Sequence, residues 1–385
     1  MALETTRLTP AEFEDGVDFI NLVFSQNAVP HDFKNLMPKW VRPEHAADNV
    51  VVKRDGRIRA LVMSAPMQAT VGGETLSVFG IGNVSTHLDE RRSGLMRLAM
   101  TRVLDDIQAA DADLACLGGH RQRYGYYGFE RCGYDFACTL SSRNVRHARV
   151  DAPAYTFSVV EGSDDPAMAD IRALYERQPV RVERGDDADF YRSLIMWRST
   201  PYVCREPDGR FAGYLCAGND PSNVSEFFAA DESRALGILQ TWLESRALHS
   251  VSFSVPSWRR TLLRDLTRVC DGIAVVPDHQ YRIFHWDRVV GAFLALKAGV
   301  APMPDGELVL GIEGWGNLAL RVCAGKTEAA KTALAPAVTL PAFDAMRVLF
   351  GPQEAGTVAA LPEKAELLLR AWCPLPLSWN AQDNV

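Results

Sequence analysis

VSTHLDERRSGLMR, residues 84–97, joins two unlike kinds of sequence. Before it, residues 49–87, NVVVKRDGRIRALVMSAPMQATVGGETLSVFGIGNVSTH, read as consecutive strands, with Asp55-Gly56 and Gly72-Gly73 as hairpin turns. After it, GLMRLAMTRVLDDIQ sets Met96, Met100, Val103, Leu104 and Ile107 on one helical face and Arg97, Arg102, Asp105 and Asp106 on the other. A short apolar strand, Leu114 to Leu117, follows and is closed by Gly118-Gly119. The strand before the helix and the strand after it can pair in parallel across a right-handed crossover. Ligands in such sheets bind at the carboxyl ends of the strands, where the loop after Thr86 lies.

That loop carries Arg91, Arg92, Ser93 and Gly94 directly before the helix. Successive N–H groups at a helix N-terminus, with the partial positive end of the helix, make an anion site. Gly94 lets the main chain approach a phosphate closely, and the two arginines add charge. A pyrophosphate suits this pattern. So does a plain surface loop with two solvated arginines.

The flanking sequence extends the pattern. Residues 10–24, PAEFEDGVDFINLVF, have helical spacing after Thr9 as N-cap. SSRNVRHARVDAP, near residue 145, is polar and basic and reads as a linker. Residues 155–283 repeat the rhythm of the first third, with strands in PYVCREPDGRFAGYLCAG, a helix ALGILQTWLESRA and a strand SVSFSV. No glycine-rich turn joins that strand to that helix. From about 284 come a helix HWDRVVGAFLAL and a strand pair around Trp315-Gly316-Asn317. A helix PAFDAMRVLFG with Gly351 as C-cap and a last helix EKAELLLRAW complete the chain. The fold class expected is mixed α/β (α+β), in segments 1–145, 146–283 and 284–385.

Composition bounds the function. The chain has 385 residues, two or three times a typical ~150-residue domain. Hydrophobic residues make up 47% and charged residues 23%, which excludes a disordered chain. Lys plus Arg is 41 against 48 Asp plus Glu, a net charge of −7, so no basic excess is available for nucleic acid. No run of 18 apolar residues occurs, so no membrane span is expected. The N-terminus, MALETTRLTPAEFEDG, lacks the pattern of a secretory signal. The eight cysteines form no C-x-x-C pair and sit mostly in apolar contexts. They read as reduced thiols in a cytoplasmic protein, without a disulfide framework or a metal site.

The loop resembles the coenzyme A loop of the GNAT acetyltransferase superfamily, Q/R-x-x-G-x-G/A. Here it reads Arg91-Arg92-Ser93-Gly94-Leu95-Met96, with Met96 in place of the small last residue. GGHRQRYGYYGFERCGY, residues 118–134, is similar to the superfamily's Y-x-x-x-G-F element, with Tyr124 as the tyrosine and Gly128-Phe129 as the pair. The three-part arrangement resembles the enhanced intracellular survival family, in which two tandem GNAT-type domains precede a sterol-carrier-like α+β domain.

The resemblance implies transfer of an acetyl group from acetyl-CoA, as co-substrate, to a primary amine of aminoglycoside, polyamine or lysine type. It also implies a homo-oligomer. In this chain Val84, Ser85 and Thr86 would meet the thioester carbonyl through backbone N–H groups. Arg91, Arg92, Ser93, Gly94, Leu95, Met96 and Arg97 would hold the pyrophosphate, and Gly119 and His120 would flank the cofactor. Tyr124 would be the general acid, and the terminal carboxylate of Val385 the base. Trp379 and the apolar residues before it argue for a docked tail. The alternative is a non-catalytic acyl-CoA- or lipid-binding protein that uses the sterol-carrier-like module. His120 is a second candidate base, and His87 reads as structural. The acidic run Glu183, Asp186, Asp187 and Asp189 reads as a solvated loop that could otherwise attract a polycation. Phe24 and Trp40 read as core that could otherwise line an amine pocket.

Overall fold

The structure, a computed structural model, describes residues 3–26, 29–148 and 153–385. β1 (Leu3–Arg7) leads into a capping box, in which Thr9 and Glu12 bond reciprocally before α1 (Phe13–Ser25). A one-turn helix, α2 (Phe33–Leu36), follows with Asp32 as its N-cap. β2 (Asn49–Arg54), β3 (Arg57–Val71) and β4 (Glu74–Thr86) then form an antiparallel meander. Both turns fall where the sequence puts them, and all four turn residues have positive φ: 51° and 76° at Asp55-Gly56, 60° and 101° at Gly72-Gly73. A two-residue hairpin requires this, because only then does the turn match the strand twist.

α3 (Leu95–Ala109) crosses over to β5 (Leu114–Leu117), which runs parallel to β4. The buried face of α3 is Leu95, Ala99, Met100, Val103, Leu104 and Ile107. Met96, expected on that face, is only half-buried at its edge and reaches the crevice described below.

The second sheet repeats the plan. Thr200–Arg205, Phe211–Ala217 and Asn223–Ala229 form a meander. The helix Ala235–Ser245 then leads to Ser250–Pro256, parallel to the third of those strands. The sheets also exchange strands. After α4 (Arg121–Tyr124) and β6 (Glu130–Arg131), β7 (Tyr134–Ser141) pairs with Ser250–Pro256 in the second sheet. Gln280–Ile283 returns to the first sheet between β5 and β6. Segments 1–145 and 146–283 therefore share strands across their sheets.

The last segment forms a four-stranded sheet in which Gly306–Ile312 lies between Gly316–Cys323 and Val338–Leu340. The helix Ala342–Phe350 ends at Gly351 as expected, but Gly351 has φ −73° rather than the left-handed value of a glycine cap. Glycine suits this position for another reason: a Cβ there would run into the Arg347 carbonyl. One apolar core runs from α1 through the helix Trp286–Val300 to Trp372 and Leu377, packing the last segment onto one face of the first sheet. α3 covers the other face. Among the described residues, no helix is long and apolar enough to cross a membrane.

Candidate active site

β4 and β5 pair only from Val78↔Leu114 to Ile81↔Leu117. Beyond that point Gly82–Thr86 and Gly118–His120 diverge, and a crevice opens at the carboxyl ends of the two parallel strands. The β3–β4 ladder slips here as well: Met63 faces Gly82 and Leu61 faces Ser85, so Asn83 and Val84 together oppose Val62. Asn83 takes φ +54° to make this bulge. A bulge leaves main-chain groups unpaired and re-aims them, and Val84, Ser85 and Thr86 line the cavity just past it.

The loop after β4 ends at Gly94, the N-cap of α3, with φ +85°. Arg92 is also left-handed at φ +69°. The first intrahelical bond runs from Leu98 N–H to Gly94 O at 3.2 Å. The N–H groups of Leu95, Met96 and Arg97 therefore have no acceptor within the helix, and they point with its positive end into the crevice. The loop is pinned from its other side. Ser93 Oγ donates to Glu90 O at 2.5 Å, and Glu90 takes two bonds from Arg54 at 2.9 and 3.2 Å. In the second sheet the Asp231 side chain caps the short turn before the corresponding helix by accepting from Ser233 N–H at 3.0 Å, and that helix has Arg234, not a glycine, as its N-cap.

Tyr124 ends α4 and is 5% exposed. Burial pushes its phenol up from the ordinary value, and the neighbouring Arg123 guanidinium pulls the other way. α4 is anchored through Glu130, which accepts from Arg121 and from Arg347 of the last segment, each at 2.6 Å. Burial opposes ionisation of Glu130, but the two guanidinium groups and the Arg131 N–H prevail and hold it below the ordinary carboxylate range. Gly119, at φ +135°, lies so close under the Tyr124 ring that a side chain there would collide with it. Gln280 Nε2 donates to Gly119 O at 2.8 Å and fixes that turn.

The chain end reaches the same crevice from the far side. Leu375 N–H donates to Leu349 O at 2.7 Å, Tyr134 N–H to Leu377 O at 3.1 Å, and Trp379 packs edge-on against Tyr281 at 5.5 Å. Gln382 donates to Leu194 O at 2.8 Å. Asp383 pairs with Arg184, and Arg184 also pairs with Glu226; none of these three side chains is exposed to solvent. Val385 then lies across Gly80 and Gly82 of β4: a Cβ on Gly80 would overlap its side chain, and one on Gly82 would crowd its main chain.

One cavity of about 1440 Å³ is lined by every residue that the sequence marked: Val84, Ser85 and Thr86, the run Arg91 to Arg97, Gly119, His120, Tyr124 and Val385. His87 is outside it and caps the turn after β4 by accepting from Asp89 N–H. Trp40 is buried core and meets His45 edge to face at 5.0 Å. Phe24, read as core, lines the cavity with His31, Phe33 and Trp197, a wall the sequence reading did not assemble. One overlooked signal was legible: the strand FGIGN has two glycines, and glycine inside a strand marks a close approach by another backbone or a ligand.

Residues 4–137 match the model of the acetyltransferase (GNAT) domain. No curated protein matches the chain in sequence. A solved structure of a probable N-acyltransferase from Enterococcus faecalis is 15% identical, with a TM-score of 0.69 over 98% of this chain and 98% of its own. A GCN5-related N-acetyltransferase from Kribbella flavida is 16% identical, with a TM-score of 0.69 over 96% and 95%. Eis1 from Mycobacterium abscessus is 16% identical, with a TM-score of 0.66 over 100% of both chains. At such identities the likeness is one of fold, and it bears out the mixed α/β architecture for the whole chain.

Proposed function

We propose that the protein is an N-acetyltransferase that moves an acetyl group from acetyl-CoA to a primary amine. The observation that carries this reading is one crevice that brings together the N-terminus of α3, the buried Tyr124 phenol and Val385. The left-handed Gly94 cap and the unpaired N–H groups of Leu95, Met96 and Arg97 suit a pyrophosphate, and Arg91 and Arg92 add charge. Met96, in place of the small residue, is half-buried against the α3 core and lines the crevice beside that N-terminus.

The strand end Val84–Thr86 would polarise the thioester carbonyl through a backbone N–H placed where negative charge develops. Tyr124 would give a proton to the leaving sulfur; burial keeps its phenol protonated at neutral pH, as a general acid must be. An alkylammonium has a pKa of about 10.4 and an α-carboxyl about 3.3–3.7. The Val385 carboxylate would therefore act first by holding the ammonium, and would then accept one proton from it so that the nitrogen lone pair is free to attack. Segment 284–385, read as sterol-carrier-like, would serve to deliver the tail.

The test is calorimetry with acetyl-CoA on the wild type and on Gly94→Glu, followed by an amine-acetylation assay with a variant lacking Val385. Micromolar binding that Gly94→Glu abolishes, with turnover lost and cofactor binding kept when Val385 is removed, is the expected result. Absence of acetyl-CoA binding by the wild type would sink the reading.

A further inference from the structure

Resting on that reading, we infer that the acceptor is a monoamine with an aromatic or similarly broad apolar body, not a polycation. The half of the crevice opposite the arginines is built from rings. Phe24 and Phe33 meet edge to face at 4.9 Å between centroids, and His31 stacks on Phe33 at 5.8 Å and 22°. His31 Nδ1 lies 2.8 Å from Val29 O, which fixes the ring. Trp197 closes this wall from the second segment. It is a bulky residue held at φ +59°, a conformation that costs free energy and persists only where the surroundings impose it. Its indole remains 38% exposed and lines the cavity.

Charge decides between acceptor classes. Among the described residues lining the cavity, Glu90 is the one carboxylate side chain, and Arg54 already holds it beneath the phosphate loop. The ring-lined half is left with a single negative group, the terminal carboxylate of Val385. Beside it, Asn83 is buried with its Oδ1 lacking a hydrogen-bond partner, a neutral acceptor for one more N–H. The acidic run that could have drawn a polycation is engaged elsewhere: Asp187 with Arg172, Asp189 with Arg42 and Arg192, and Asp186 as a helix cap. A triamine or an aminoglycoside would bring two or more ammonium groups into a wall of rings with no counter-charge, and burying an unpaired charge is strongly unfavourable. A single ammonium on an aryl-alkyl body leaves no charge unmatched. The rings gain apolar and edge-to-face contact with the body, while Val385 holds the ammonium. In the reaction the amine nitrogen bonds to the acetyl carbon and the carbon–sulfur bond breaks. One ammonium proton first passes to the Val385 carboxylate and frees the nitrogen lone pair; the thiolate takes a proton from Tyr124, and the second proton, lost from nitrogen as the amide forms, restores the Tyr124 phenol.

The experiment compares phenethylamine and tryptamine with spermidine and kanamycin. It measures kcat/KM at saturating acetyl-CoA and calorimetric binding to the CoA-loaded protein. Aryl-alkylamines should exceed the polycations at least 100-fold in kcat/KM. Trp197→Ala should raise their KM about tenfold with acetyl-CoA affinity unchanged, and Trp197→Phe should recover most of the loss. Equal or better use of spermidine or kanamycin overturns the inference, and so does failure of both aryl-alkylamines to bind. If acetyl-CoA itself does not bind, it is the acetyl-transfer reading that falls.

Discussion

Asp383 and Arg184, 199 positions apart, meet in a two-point ion pair with Nε–Oδ1 at 2.8 Å and Nη2–Oδ2 at 3.0 Å. The pair lies two residues before the chain end and has no solvent exposure. Glu226 accepts from Nη1 and Nη2 of the same arginine, Tyr175 donates to Asp383 at 3.0 Å, and the guanidinium lies 3.9 Å over the Tyr175 ring. A buried charge is stable only when fully partnered, so this network holds the tail at one place. Asp383→Ala would leave Arg184 short of one partner and should cost about 3–5 kcal/mol. Its thermal midpoint should fall and acetyl transfer should drop at least tenfold, while acetyl-CoA affinity stays within about threefold. Unimpaired transfer by a stably folded Asp383→Ala would separate the network from the chemistry.

Gly80→Ala tests the docking surface itself. The new methyl would occupy the space of Val385 Cγ2, so the last residue would have to shift from its place on β4. Turnover should fall by one to two orders of magnitude with little change in acetyl-CoA binding or in the thermal midpoint. Loss of cofactor binding would instead mean that β4 had deformed.

Tyr124→Phe keeps the ring that packs against Gly119 and removes the proton. General acids contribute about 10²–10⁴ in rate, and a thiolate is a fair leaving group unaided, so a fall of about 10²-fold in kcat is expected at unchanged KM. An unchanged kcat would assign the proton to another donor.

Asp135 supplies a pH signature away from the site. Burial and the nearby Asp278 carboxylate push its carboxyl up to about 7. Asp278 is itself bound by His279 at 2.6 Å and by the Tyr281 hydroxyl. With the folded-state pKa above the unfolded ~3.9, the native state keeps a proton that the unfolded chain has lost. Stability is then full below about pH 4 and declines as pH rises to about 7. Asp135→Asn should match the wild type near pH 4 and exceed it at pH 8 by about 1–3 kcal/mol. Thermal unfolding at the two pH values measures this; a variant less stable at pH 8 would contradict it.

The sequence by itself determined the parts whose physics is local. Asp55-Gly56 and Gly72-Gly73 can only be tight turns, α3 shows its buried face in its periodicity, and Gly94 stands where that helix needs a left-handed N-cap. These depend on neighbours within a few residues, so they survive in a string of letters. The tertiary structure decided the rest. It moved β7 into the second sheet and brought Gln280–Ile283 back into the first. It joined Phe24, Phe33 and Trp197 into one wall and seated Val385 on Gly80 through Arg184. Such contacts come from burying apolar surface and from pairing charges between distant segments, and neither leaves a spacing to read. Two traces of the docked chain end were left in the sequence: Trp379 with the apolar residues before it, and the pair of glycines in β4, against which Val385 lies.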